Sequence, residues 1–229
     1  WKQDHILLRS YLPADIHADE AAYEIQYGNV KRPTHFNTSW DAAKFEVCAH
    51  KWIDLCEDGY GVSVLNDCKF GCDIHHGVIG LTMLKSGTYP NPEADKEHHS
   101  FTWSICPHEG TWREGGTVAK AYLLNDPYKA AVKKTEGGGL PASCSFVTSD
   151  AENVVIEVVK KAEDSDAVAV RMYECFNRRT DVTLTFLKEI READFCNLLE
   201  EKEGAAPVSG QKVSFTIRPY EIKTLLVRF

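Results

Sequence analysis

The chain has 229 residues, and 43% of them are hydrophobic, so it can bury one large β core or two smaller ones. Its 34 acidic and 26 basic residues are interspersed and leave a formal charge of −8, which excludes the basic face that a nucleic-acid partner requires. No apolar run approaches the roughly 20 residues needed to cross a bilayer, so no membrane partner is expected.

The first residue is Trp1, and the apolar run 6–12 reads as a strand almost at once. The start therefore reads as a cut inside a longer protein. A second strand is expected over 22–27. The stretch 40–56 is ambiguous: Trp40, Lys44, Cys48, Trp52 and Cys56 repeat at four, while Phe45, Val47, Ala49, Ile53 and Leu55 nearly alternate. Periodicity alone leaves helix and strand both open. Strand 61–65 follows the turn signal Asp58-Gly59, strand 78–84 follows His76-Gly77, and 101–105 alternates aromatic and polar residues. The segment 114–124 is the better helix candidate, closed by Asn125-Asp126-Pro127.

Residues 133–141 hold Gly137-Gly138-Gly139 and Pro141 with few large apolar side chains, and a domain boundary is expected there. Five further runs, 154–160, 167–176, 182–187, 212–217 and 222–229, are rich in β-branched residues. Between them 200–210 reads as a long hairpin connection. Short strands with turn signals at this spacing are the pattern of a sandwich. The fold class is all-β, with one β domain over 1–136 and a small second one over 142–229.

Eight cysteines, at positions 48, 56, 68, 72, 106, 144, 175 and 196, are spread through apolar segments. They read as reduced, mostly buried thiols of a cytoplasmic protein, not as a disulfide framework.

Three polar clusters are candidates for chemistry. The densest runs from Asn66 to His76 and holds Asp67, Cys68, Lys69, Cys72, Asp73 and His75. Zinc at Cys68, Cys72, His75 and His76 is one reading, but four ligands from nine consecutive residues would strain the loop. A turn with a ligand-facing polar edge is the leading one. The second cluster, Lys31 to Asp41, holds Arg32, His35, Asn37 and Trp40, residue types that bind sugars by hydrogen bonding and stacking. A loop whose polar groups satisfy one another is the simpler reading. The third, Asp95 to His99 with His108 nearby, suits a hydrated loop better than acid/base chemistry. There is no nucleophile elbow, phosphate-binding glycine loop or H-E-x-x-H motif.

The ordered series Tyr23-Glu24-Ile25-Gln26-Tyr27-Gly28, Arg32-Pro33-Thr34-His35-Phe36-Asn37-Thr38-Ser39-Trp40-Asp41, Ala49-His50-Lys51-Trp52 and Leu65-Asn66-Asp67-Cys68-Lys69-Phe70-Gly71 resembles the C-terminal region of family 38 α-mannosidases, closest to their cytosolic and bacterial branch. Arg171-Met172-Tyr173-Glu174 and Pro219-Tyr220-Glu221 extend the resemblance to the end of the chain. It implies the later strands of a large β-sandwich (a supersandwich) followed by a small sandwich-like β domain, and an extended conformation over 45–55. It also implies a parent enzyme that removes terminal α-mannose with retention, using an N-terminal α/β barrel that carries the nucleophile and a zinc ion. This chain has no counterpart of the barrel, so no catalytic residue, metal ligand or cofactor is expected within it.

On that resemblance, the chain's partners are its own catalytic domain and the α-mannoside substrate, with self-association through an exposed edge as a further expectation. Asp67, Lys69, Asp73, His75, Arg32 and His35 are expected to lie near substrate in the full enzyme. Two other functions stay open at this point. One is a carbohydrate-binding module using Trp40, Trp52, Trp103 and Trp112; the other is a self-sufficient enzyme with a site at Asp67, Asp73 and His75.

Overall fold

A computed structural model describes residues 1–132, 139 and 141–229. The chain forms two compact units, Trp1–Ala130 and Ala131–Phe229. The expected boundary at 133–141 lies for the most part outside the described residues. All strand pairs in both units are antiparallel.

In the first unit, one sheet joins β1 (Leu7–Pro13), β8 (Val78–Lys85), β7 (Gly71–His75) and β4 (Val47–Cys48), in that order. The other joins β3 (Gly28–Pro33), β2 (Glu20–Ile25), β5 (Trp52–Glu57), β6 (Tyr60–Asn66) and β9 (Trp103–Glu109). Alternation along the strands sends Ile74, Ile79, Leu81 and Met83 from the first sheet against Tyr23, Ile53, Leu55, Val62 and Val64 from the second. A short helix α1 (Ser39–Ala42) starts at a capping box, in which Thr38 and Asp41 each bond the other's backbone N–H. A longer helix, α2 (Thr117–Asn125), packs on β5 and β6.

The second unit repeats the two-layer plan. One sheet has the order β10 (Val147–Ser149), β13 (Thr180–Phe186), β17 (Lys212–Ile217), β16 (Val208–Ser209). The other has the order β11 (Val154–Lys161), β12 (Val168–Glu174), β18 (Ile222–Arg228), β14 (Glu192–Cys196), β15 (Lys202–Ala205). Val170, Met172, Leu225 and Val227 meet Val182, Leu184, Phe186, Val213 and Ile217 in one buried core.

Several expectations need correction. Residues 45–55 do not form one strand: 45 and 46 lie in a bend, β4 and β5 belong to different sheets, and Ala49 and His50 make the crossing, bonded to Phe70 O and Glu24 O. The polar stretch 66–75 is a loop only over 67–70, because Cys72 and Ile74 put β7 into the core. The hairpin connection 200–210 contains β15 and β16, whose exposed residues lack an alternating apolar face. The helix begins at Thr117, not Glu114: the Glu114 carboxylate accepts from Thr111 N at 2.9 Å and closes a preceding turn, and Gly116 at φ +64° breaks the helical path. Strand β3 carries one large apolar residue, Val30, and sits at a sheet edge, where Lys31, Arg32 and Pro33 are tolerated.

Candidate functional site

The loop 67–70 is templated by Asn66, a buried residue at the end of β6. Its Oδ1 accepts from the backbone N–H groups of Cys68 (3.1 Å) and Lys69 (2.6 Å), which winds the chain into a tight turn. Its Nδ2 donates to His50 O at 2.7 Å, and Asn125 Nδ2 donates to its carbonyl at 3.0 Å. Asp67 then bridges to Thr102 twice, with its carboxylate accepting from Thr102 N at 2.9 Å and its own N–H donating to Thr102 O at 3.1 Å. Burial opposes ionisation of Asp67, but hydrogen bonds from Cys68 and Thr102 prevail and hold its carboxyl below the ordinary value. Lys69 lies with its ammonium 4.8 Å from the Phe101 ring centroid. The loop is thus a rigid, charged turn at the Gly71 end of β7.

Asp73 lies mid-strand on the outer face of the first sheet and forms an ion pair with Arg9 of β1. The pair spans β8 above Gly80, where a Cβ would stand 2.7 Å from Arg9 Nη2 and 2.9 Å from Asp73 Oδ1. His75 is at the far end of β7, with its ring 4.1 Å from that of Phe36. Burial lowers its pKa, against the backbone groups of Lys44 and Thr34, which favour the charged form. His35 Nδ1 is 3.7 Å from Asp41 Oδ2, and the Arg32 guanidinium lies 4.7 Å from the Tyr23 ring centroid. The six expected residues therefore do not converge. Asp67 and Lys69 lie at one end of β7 and His75 at the other, with Asp73 between them committed to Arg9. His35 instead helps line an open groove of about 500 Å³ with Asp15, His17, Asp19, Thr34 and His76.

The zinc reading at Cys68, Cys72, His75 and His76 fails on direction. Cys72 faces the core, its thiol pushed up to about 12 by burial, while Cys68 and His76 are exposed at opposite ends of β7. Among the described residues, no group of three or more His, Cys, Asp or Glu side chains is arranged to hold a metal ion. The thiols are also less uniformly buried than expected: Cys72, Cys175 and Cys196 are buried, but Cys48, Cys68 and Cys144 are exposed, and none of the eight is in a disulfide. Trp52 and Trp112 stack on each other inside the protein, 4.9 Å between ring centroids, and are closed to a sugar. In the third cluster, Asp95 accepts from Lys85 N at 3.0 Å, and His99 Nε2 lies 2.8 Å from Asp95 O. That cluster orders its own loop.

Sequence reasoning missed two buried polar networks. Beneath α2, Asp54 Oδ2 accepts from Ser63 Oγ at 2.6 Å and lies 2.7 Å from His108 Nε2, and Ser63 Oγ is 2.6 Å from Thr117 Oγ1. All four residues are sealed from solvent, so this is a bracket for the helix and not a reactive triad. In the second unit the buried Glu174 accepts from Asn153 Nδ2 (2.7 Å), Phe176 N (2.7 Å) and Tyr220 N (3.0 Å). Its signal was present as two separated motifs, Arg171–Glu174 and Pro219–Glu221, which the Glu174–Tyr220 bond joins.

Known folds show the same arrangement. The chain superposes over 97% of its length, with a TM-score of 0.81 at 18% identity, on the crystal structure of an alpha-mannosidase from Enterococcus faecalis V583, of which it covers 26%. The fold is thus a tandem β-sandwich region that is known as part of a much longer chain. Residues 1–93 match the model of the glycosyl hydrolases family 38 C-terminal domain, and residues 153–225 that of the family 38 C-terminal beta sandwich domain. The chain belongs to the C-terminal region of glycosyl hydrolase family 38. It is 36% identical over 232 residues to Alpha-mannosidase 2C1 of Homo sapiens and 38% identical over 230 residues to Alpha-mannosidase G of Dictyostelium discoideum. Those alignments cover 99% and 98% of this chain but only 22% and 21% of the two relatives.

Proposed function

We propose that this chain is the non-catalytic C-terminal part of a cytoplasmic α-mannosidase, in which it packs on the catalytic domain of the same polypeptide and completes the cleft that binds a terminal α-mannoside. Two domains, over 1–136 and 142–229, divide this work: the first carries the loop 67–70 and the second serves as a structural sandwich. Zinc would belong to the catalytic portion outside this chain, since Cys72 faces the core and the neighbouring histidines point elsewhere.

The observation that carries this reading is the loop 67–70. Six hydrogen bonds through Asn66 and Asp67 fix a turn that carries a carboxylate and an ammonium at the end of a sheet. Preorganised polar groups of this kind suit recognition of sugar hydroxyls, because their ordering cost is met during folding. Asp67 and Lys69 are the residues nearest substrate in this reading. Asp73, His75, Arg32 and His35 hold the surrounding strands and loop in place. In the full enzyme, Asp67→Ala should lower kcat/KM about ten-fold or more, a loss of about 1.4 kcal/mol of transition-state stabilisation. An unchanged kcat/KM would remove the loop from the cleft.

A further inference from the structure

The outer face of the β1-β8-β7-β4 sheet carries an unusual surface. Register places three cross-strand rows on it: Pro13, Val78 and His75; then Tyr11, Gly80 and Asp73; then Arg9, Thr82 and Gly71. The segment 34–46 crosses this face along β7. Phe36 seats it on His75 at one end, and Glu46, which accepts a hydrogen bond from Thr82, seats it at the other. The Arg9–Asp73 pair fills the middle and is only 12% exposed on each side chain. Large side chains in open solvent lie on the elements of this face: Tyr11 of β1 at 59% exposure, its ring centroid 5.1 Å from the Arg9 guanidinium, and Trp40 at 80%, Phe45 at 68% and Phe36 at 42% on the segment 34–46.

A shielded arginine–carboxylate pair on a sheet face that also carries exposed tyrosine, tryptophan and phenylalanine has the composition of an interface centre. A tryptophan held almost wholly in water is the informative part, since scattered single apolar residues need no explanation but a grouped aromatic rim does.

We propose that this face is where the first unit docks on the preceding, catalytic part of its own polypeptide, with Trp40 and Phe45 as the anchors. The proposal rests on the reading that the chain is one region of a longer enzyme, and it adds the surface. The occupant follows from chain length. The same fold makes up 26% of the solved Enterococcus faecalis chain, and the aligned region 22% of the human relative. Covalent attachment gives the rest of the polypeptide an effective concentration in the millimolar range, so it reaches an apolar face before a second copy does. The loop 67–70 runs into β7 on this same sheet, and Ala49 N donates to Phe70 O beside it. Docking here therefore carries the loop toward the catalytic part.

Hydroxyl-radical footprinting of the unaltered full-length enzyme is the first test. Corrected for intrinsic reactivity, Trp40 and Phe45 should oxidise severalfold more slowly than Tyr89, which is 92% exposed and follows the end of β8. Oxidation at the rate of Tyr89 overturns the proposal. The second test places a photo-crosslinking phenylalanine at position 40 or 45, with Leu199 of the other unit as reference, in an equal mixture of light and isotope-labelled enzyme. Crosslinks from 40 and 45 to peptides preceding this region, within one copy, are the expected result. Crosslinks between light and heavy chains would overturn the choice of occupant. Crosslinks to the preceding region from Leu199 alone would overturn this surface and leave the parent reading standing. A parent gene that encodes no catalytic domain ahead of Trp1 would instead end the reading itself.

Discussion

His75 shows how a residue that looks functional in sequence can serve stability. Its ring is wedged against Phe36, and burial lowers its pKa from the ordinary 6.5. A depressed imidazole takes up its proton less readily in the folded chain than in the unfolded one. Its contribution is therefore complete above pH 6.5 and declines as pH falls through the folded-state value. In His75→Phe the aromatic contact with Phe36 is kept and the proton is removed. The fall of Tm with decreasing pH below 6.5 should be shallower in this variant than in the native chain. Parallel Tm curves would show that His75 does not sense pH. Sequence pattern alone placed His75 beside Asp67 because the two are eight positions apart. With 71–75 extended as β7, the turn and His75 stand at opposite ends of a strand and not in a shared site.

At the scale of the element, the strands that the sequence revealed were those with one continuous apolar face, such as β8, β11 and β12. Those it concealed were half-buried or at an edge. In β7, Gly-Cys-Asp-Ile-His, two core residues alternate with polar ones whose partners lie on other strands, so the stretch reads as a loop until Arg9 is brought to Asp73. The same reason hides the Asp54 and Glu174 networks, since their members are 9 to 54 and 2 to 46 positions apart. Glu174 ties the ends of β12 and β18 to the Asn153 turn. Glu174→Ala would take the acceptor from Phe176 N, Tyr220 N and one N–H of Asn153 Nδ2, whose other N–H keeps Thr180 Oγ1 at 2.8 Å. It should cost about 3 kcal/mol in chemical denaturation, given about 1 kcal/mol or more for each buried unpaired donor. A midpoint within error of the native one would mean that water replaces the carboxylate.

For the whole molecule, two separate cores imply two cooperative systems. Residues 142–229 expressed alone should fold and unfold in a single transition, which Glu174→Ala would shift. In the 229-residue chain, Gly80→Ala in the first unit would break the Arg9–Asp73 pair. It should lower the midpoint of a different transition, at a cost in stability of about 1–3 kcal/mol, the usual cost of overpacking. Both substitutions moving one common transition would show that the units unfold together. The all-β class was legible from composition and spacing. The candidate site was legible only as the turn 67–70, because every other expected residue takes its role from a partner distant in sequence.

The short link between β15 and β16 has a mechanical meaning. Strand β15 hydrogen-bonds to one layer of the second sandwich, and only Ala206 and Pro207 separate it from β16, which hydrogen-bonds to the opposite layer. Ala206 is buried in the core between them and donates its N–H to Ala193 O at 2.8 Å. A link with no slack is a stitch: under a pulling force the layers cannot slide until it is unpicked. The short, exposed edge strands of this unit thus form a seam between its two layers.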